Sequence, residues 1–276
     1  RVTLLCRVMG VSRSGYYAWC RRGESARSRA DRVLLGHIRS VHEAHRGHCG
    51  ALKTWRVLNV QGIPCGKHRV ARIRREHGIV ARRRRRFIAT TQSKHTLWRA
   101  PNLLERDFTV DEPNRVWVGD VTFVPTREGF LFLAVLIDLY ARKVVGYGMS
   151  NRNDEALVLG ALEMALQTRR PNAGLIHHTD QGRTYAANAY RSKLSAAGIE
   201  PSMSRKGDCW DNAVAESFFA TLELELFEGR TYPSRAAARR AIFEFIEVFY
   251  HRQRAHQTLG YKNPEQVEQD YQMTLN

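Results

Sequence analysis

The chain has 276 residues, 43% of them hydrophobic, and a formal net charge of +17, a composition that supports a folded core and excludes a disordered acidic chain. No stretch approaches the run of about 20 apolar residues that a membrane span needs, since the most apolar segment, 129–139, is short and interrupted by Asp138. The five cysteines (Cys6, Cys20, Cys49, Cys65, Cys209) are odd in number and scattered, without the Cys-x-x-Cys spacing of a zinc site or redox motif, which argues against a disulfide framework and for reduced thiols. The first residues show no signal-peptide pattern and no initiator Met, so the expectation is a cytoplasmic protein that is either a piece of a longer chain or joined to an upstream reading frame.

Charge is distributed unevenly. Residues 1–106 hold 25 Lys and Arg against 5 Asp and Glu, a net of +20, whereas the remaining 19 basic and 22 acidic residues give −3. Such asymmetry is the footprint of a polyanion-binding region joined to a second module; the alternative is a basic tail that only aids solubility.

In chain order, residues 1–22 read as two short helices around Gly10, with Ser12 as N-cap and Tyr16, Tyr17 and Trp19 as the apolar face, resembling a helix-turn-helix. Residues 31–46 form a helix with Val33, Leu34, Ile38 and Val41 on one side, and Ala51 to Leu58 is helical again. After the Gly62-Ile63-Pro64 break, Lys67 to His77 turns Val70 and Ile73 inward, while Lys67, Arg69, Arg72, Arg74 and Arg75 cover the other faces. That pattern suits phosphate contact and groove entry, or else a solvated surface helix. Arg82, Arg83, Arg84, Arg85 and Arg86 form an unbroken run that repels itself into an extended stretch able to neutralise phosphates. This gives a helical DNA-binding region over 1–86 and a linker over 87–110.

From 111 to 276 the pattern changes. Residues 116–124, 130–139 and 143–149 read as three strands of an antiparallel meander, followed by a helix over 154–169 and a short strand over 174–178. A helix over 187–197, an extended piece over 199–203 and long helices over 211–227 and 236–251 complete a mixed α/β fold with helices on its sheet faces.

Three carboxylates stand out. Asp120 lies inside an apolar strand, Asp180 just past the end of the fourth, and Glu216 on the helix after the fifth. Each alone has a plain structural reading: a buried partner for an arginine, a turn residue, a surface helix residue. Together they suit Mg²⁺ or Mn²⁺, which prefer oxygen ligands and serve phosphoryl transfer in pairs.

The sequence resembles the insertion sequence 3 family of transposases, in particular their OrfB catalytic part, related to retroviral integrases. The motifs that carry the resemblance are Asn114 to Thr122, His177-His178-Thr179-Asp180-Gln181-Gly182 and Trp210 to Phe219, with 35 residues between Asp180 and Glu216. Tyr250 to His256, with Leu259-Gly260-Tyr261 and Pro264, matches the family's C-terminal signature, and Gly66 to Arg72 its DNA-binding segment. The resemblance covers nearly the whole chain. It implies a ribonuclease-H-like core in which Asp120, Asp180 and Glu216 hold two divalent ions, Mg²⁺ or Mn²⁺. It implies cleavage at insertion-sequence ends and strand transfer by a freed 3′-hydroxyl, without a covalent enzyme intermediate. The implied partners are terminal inverted repeats and target DNA, a homo-oligomer on that DNA and the upstream OrfA protein, in a bacterial, nucleoid-associated setting. The alternatives are a catalytically impaired DNA-binding copy and a nuclease of related fold that cleaves without joining.

One position departs from the pattern: Glu223 stands where the family has Lys or Arg, seven residues after Glu216. An acid there would repel phosphate unless Arg205, Lys206 or another group substitutes. Lesser candidates are His177 and His178, as ligands or as sheet residues pointing one in and one out, and His256, as an accessory residue near the active site. Asp138 reads as a partner of Arg142 or a turn cap, and Trp210 as a base-stacking or core residue.

Overall fold

The computed structural model describes residues 2–82, 98–105, 108–204 and 212–275, and the chain divides into two units between residues 82 and 83.

In the first unit, α1 (Val2–Val8) and α2 (Arg13–Arg21) form a hairpin around Gly10, whose φ of 65° suits a residue without Cβ. Ser12 caps α2, accepting the Gly15 N–H at 3.0 Å. The aromatic face expected on α2 is not buried: no residue of that helix is, and Trp19 is 68% exposed. The next helix, α3 (Ala26–Ala44), starts earlier than its apolar stripe suggests, because Ser25 accepts the Ser28 N–H and opens it. Leu34, Leu35, Ile38 and Val41 are its buried side, while Val33 faces out at 63% exposure. They pack with Val57 and Leu58 of α4 (Ala51–Val60) and Val70 and Ile73 of α5 (Lys67–Glu76), three helices in mutual contact.

Arg74 corrects the expectation that every arginine of α5 faces outward. It is 4% exposed, donating to Thr54 Oγ1 at 3.0 Å and to the Cys49 carbonyl at 2.8 Å. A buried guanidinium survives only where its donors are met, and those two acceptors meet them.

The second unit is built on a five-stranded sheet in the order β3-β2-β1-β4-β5. β1 (Val116–Thr126), β2 (Gly129–Asp138) and β3 (Val144–Ser150) form the expected antiparallel meander. β4 (Ile176–Thr179) and β5 (Glu200–Met203) add in parallel on the other side of β1. α6 (Glu155–Arg169) and α7 (Asn188–Ala196) cover one face, with Trp117, Ala134, Leu136 and Val145 beneath them. α8 (Ala213–Leu222) and α9 (Arg235–Glu244) cover the other, over Val116, Val118, Leu133, Val135 and Ile137. The alternation of these positions along β1 and β2 follows from the two-residue period of a strand. α6 sits close on β3, where a Cβ on Gly146 would lie 2.2 Å from the Ala161 carbonyl oxygen.

Two expected long helices are not regular throughout. α8 passes into a wider π turn at Glu223–Phe227, and α9 into another at Phe245–Tyr250. A last helix, α10 (Pro264–Leu275), shows little apolar stripe. It is tied down by Glu268, which meets Lys143 and Arg169, each at 2.6 Å. Asp138 pairs with Arg169 at 3.6 Å rather than with Arg142, and its turn-capping role is met by the Asn114 and Tyr140 N–H groups at 2.7 and 2.9 Å. Residues 98–105 lie along β5, with the Met203 N–H donating to the Pro101 carbonyl and Leu103 N–H to Ser202 Oγ. No helix of the described residues is long and apolar enough to cross a membrane.

Candidate active site

Parallel pairing of β1 with β4 runs from Val116 opposite Ile176 to Gly119 opposite Thr179 and stops there. The next residue on each strand is an acid, so Asp120 and Asp180 are neighbours across a seam where strands lie about 4.8 Å apart. The open end of a parallel pair is where α/β folds place their ligands. Asp120 shares the parity of Val116 and Val118, which puts it on the α8 face of the sheet.

Each acid is oriented from nearby. Asp120 Oδ1 accepts the Val121 N–H at 2.8 Å, and Asp180 Oδ1 accepts the Gly182 N–H at 2.9 Å. A Cβ at Gly182 would fall 2.7 Å from that same oxygen, which is why the loop carries glycine there. α8 is anchored by Asn212, whose Nδ2 donates to the Gly119 carbonyl at 3.3 Å instead of capping its own helix. Glu216 lies four residues on, one helical turn along the same flank, and so faces the β1 edge.

The electrostatics agree with this convergence. Burial pushes the Asp120 carboxyl well above the usual range, and the nearby charges of Asp180 and, less strongly, Glu216 push it further, against the pull of the Val121 N–H. Burial also raises Glu216. No ion pair to Asp120 or Glu216 occurs among the described residues, although arginines are plentiful. Equally, no three His, Cys, Asp or Glu side chains among the described residues are gathered tightly enough to clasp a metal as they stand. The donor chemistry nevertheless fits a hard divalent ion: oxygen only, half-buried, and mutually repelling without one.

His177 and His178 are both buried, on opposite faces of the sheet. His177 meets Tyr190 Oη at 2.8 Å and His178 meets Ser202 Oγ at 2.8 Å. Burial holds His177 down at about 3. Its ring lies over Gly119, where a Cβ would approach it to 2.8 Å, so the residue before Asp120 is small for a packing reason. Sequence reading also missed Tyr185, which packs against His177 and Tyr190 and whose hydroxyl is buried without a hydrogen-bond partner among the described residues. Burial raises its pKa, with Asp120 and Asp180 among the further causes. His256 is buried against the Tyr250 ring, 4.8 Å between centroids, on the flank of α8 that carries Ser217 and Thr221.

In the helical unit, Lys67, Arg75 and Arg82 are exposed. Arg69 and Arg72 are engaged: Arg69 Nε donates to Asp31 at 2.6 Å, and Arg72 bridges Asp31 and Glu76. Arg83, Arg84, Arg85 and Arg86 lie outside the described residues, as do Arg205, Lys206, Trp210 and Asp211.

Comparison with known proteins bears on both units. Two models of an integrase core domain match residues 110–209 and 197–264, and a model of an HTH-like domain matches residues 28–87. The segment matched to the HTH-like domain spans α3 to α5 and leaves the α1–α2 hairpin outside it. The chain is 43% identical over 267 residues to a 31 kDa protein of insertion element IS600 from Shigella sonnei, covering 97% of this chain and 98% of that one. It is 38% identical over 273 residues to the transposase InsF for insertion sequence IS3A of Escherichia coli, covering 97% and 93%. It is 39% identical over 236 residues to the transposase for IS904 of Lactococcus lactis, covering 86% and 93%. Among solved structures, a chain of the simian T-cell lymphotropic virus intasome aligns over 84% of this chain and 73% of its own, at 16% identity and a TM-score of 0.49. The HTLV-2 integrase catalytic core domain in complex with magnesium aligns over 56% and 96%, at 18% identity and a TM-score of 0.43. Both likenesses are too distant to bear on chemistry. The sequence relatives are not, and by their identity and coverage the chain belongs to the insertion sequence 3 family of transposases, with an integrase core of ribonuclease-H-like type behind an HTH-like domain.

Proposed function

We propose that the chain catalyses divalent-metal-dependent cleavage at insertion-sequence ends followed by strand transfer, with Asp120, Asp180 and Glu216 as its acids. The observation that carries this reading is the seam at which β1 and β4 cease to pair, each strand continuing into an aspartate beneath the helical turn that bears Glu216. When bound there, two ions of Mg²⁺ or Mn²⁺ would ease deprotonation of the attacking oxygen and stabilise charge on the leaving one.

The chain's own contribution is placement. The Val121 and Gly182 N–H groups orient the two aspartates, and Asn212 fixes the first turn of α8 against β1. Two displacements at phosphorus follow in sequence: water frees a 3′-hydroxyl at the element's end, and that hydroxyl attacks a second phosphodiester. Neither leaves a covalent link to the protein, so Ser217 is not required as a nucleophile.

DNA holding falls to residues 1–86, with 111–276 as catalytic core. Exposed Lys67 and Arg75, with the run Arg82 to Arg86, supply phosphate contacts, and Arg69 and Arg72 would do so by exchanging Asp31 for phosphate. Assembly into a homo-oligomer on DNA and partnership with the upstream OrfA protein belong to the same proposal.

Incubating wild-type protein and Asp120→Asn with terminal-repeat DNA and Mg²⁺ tests it. Joined product from wild type alone is the expected result. Cleavage without joining would favour a nuclease, and intact DNA binding with no product from either protein would favour an impaired copy. Glu223 is the observation that favours impairment, since it lies two turns beyond Glu216 on the helix. Glu223→Lys should raise strand transfer several-fold, about 1 kcal/mol for one new lysine–phosphate pair; activity no higher than the parent's removes Glu223 as the cause.

A further inference from the structure

The segment around Tyr250 to Thr258 forms one wall of a cavity of ≈ 390 Å³ against α8. Ser217 and Thr221 line it from α8, Arg142 from the β2–β3 turn, and Arg254, His256 and Thr258 from the segment after the second π turn. Ser217 directly follows Glu216, so the cavity opens on the flank of the helix next to the one that bears the acid.

The two arginines differ. Arg254 is held by Glu225, Nε to Oε2 and Nη2 to Oε1 both at 3.0 Å, and that pair is neutral. Arg142 has no such partner. Among the described residues its Nη2 reaches only the Phe108 carbonyl, at 3.4 Å, and its Nη1 is buried without a hydrogen-bond partner. Its backbone stands at φ 56°, in the left-handed region that disfavours side chains, so the chain holds an arginine in an awkward position, with no carboxylate in ion-pair contact among the described residues. Burial lowers its pKa, with Tyr250 and Asp138 pulling the other way. A half-buried guanidinium with Nη1 left without an acceptor is unfavourable unless a ligand supplies one. The hydroxyls of Ser217 and Thr258 can each donate, whereas Thr221 Oγ1 already donates to the Ser217 carbonyl at 2.9 Å, and the first turn of α8 adds the positive end of a helix dipole.

We propose that this cavity is a binding site for one backbone phosphate of the DNA substrate, seated on Arg142 with Ser217 and Thr258 as hydroxyl donors. The inference rests on DNA being the substrate but not on the metal chemistry at Asp120. Guanidinium geometry suits a phosphate's paired oxygens, and a phosphate there would pin the strand beside the catalytic helix.

The test uses full-length protein and an element-end duplex in which single phosphates are replaced in turn by neutral methylphosphonates, with binding measured in EDTA. In wild type, one or two positions should weaken binding roughly tenfold, and at those positions alone Arg142→Gln should show no further loss. The salt slope of Arg142→Gln should fall by about one. Thr258→Glu, a change at an exposed rim position, should weaken binding at the same positions without moving Tm. Equal binding by both variants and wild type, or losses spread evenly over all positions, overturns the proposal. So does a variant whose only change is dissociation of an oligomer, since the cavity would then hold a neighbouring copy's carboxylate. Because EDTA removes the metal, failure here leaves the role of the three acids standing, and failed joining by wild type leaves the phosphate site standing.

Discussion

Arg74 in the helical unit and Asp120 in the sheet unit are both charged side chains placed among apolar neighbours, and they have opposite meanings. Arg74 is matched by a hydroxyl and a carbonyl, and burial is what lowers its pKa. Asp120 has a single N–H from the adjacent residue and two further acids nearby. A buried charge whose donors are met is a staple; one surrounded by its own sign is held against its preference by the rest of the fold. Such a group takes up a proton, as the raised pKa of Asp120 allows, or a counter-charge from outside the chain, and the second possibility is what makes Asp120 a candidate site residue.

The sharpest way to break this comparison is Asp120→Asn. Strand transfer should fall by at least about 10³-fold, while metal-free Tm stays level or rises. The pH dependence has a definite sign. Asp120 has its pKa raised by folding, so its contribution to stability is present at low pH and is lost as pH climbs through the raised value. Tm of Asp120→Asn minus wild type, in EDTA, should therefore grow as pH rises above about 4, and Mg²⁺ should raise wild-type Tm more than the variant's. A difference that shrinks with rising pH would mean Asp120 is a satisfied structural carboxylate.

Arg74→Met tests the opposite case. It leaves Thr54 and the Cys49 carbonyl without their donor and should destabilise the helical unit by about 3 kcal/mol, a drop in its melting transition of more than about 10 °C. The Mg²⁺-induced shift of the sheet unit should be unchanged. Gly146→Ala is next in size. Its methyl would strike the Ala161 carbonyl, so α6 must shift, at about 2–3 kcal/mol by thermal or denaturant unfolding. The smallest effect belongs to Asp31→Asn. Arg72 and Arg69 hold Asp31 below the usual carboxylate range, so its stabilising contribution exists above that range and disappears as pH falls. Tm should drop by a few degrees at neutral pH and converge with wild type in acid, while Arg69, released from Asp31, and Arg72, left with Glu76 alone, should tighten DNA binding and steepen its salt dependence. Unchanged DNA affinity would show that those two arginines serve only α3.

These contrasts also explain what the sequence made legible. The meander and Asp120 could be read because Val, Phe and Leu surround one acid in a strand pattern that leaves few other structures. The side-by-side placement of Asp120 and Asp180 needed the β1–β4 register, which no local pattern encodes. Arg74 looked like its neighbours Arg72 and Arg75, and only its distant acceptors, the Cys49 carbonyl 25 residues earlier and the Thr54 hydroxyl 20 residues earlier, distinguish it. The final helix was invisible because Glu268, not an apolar stripe, fastens it. Glycine at 119 carried a signal that could be decoded only once the His177 ring was seen above it.

The π turn at Glu223–Phe227 has a consequence for how α8 can vary. One surplus residue per turn rotates everything after it by roughly 100° relative to a continuous α-helix. The half carrying Glu216 is thus aimed by Asn212 and β1, and the half carrying Glu225 is aimed separately by Arg254. Because the two bearings are set independently, the latch at Glu225 can drift in angle over generations without turning the acid at Glu216 away from the sheet.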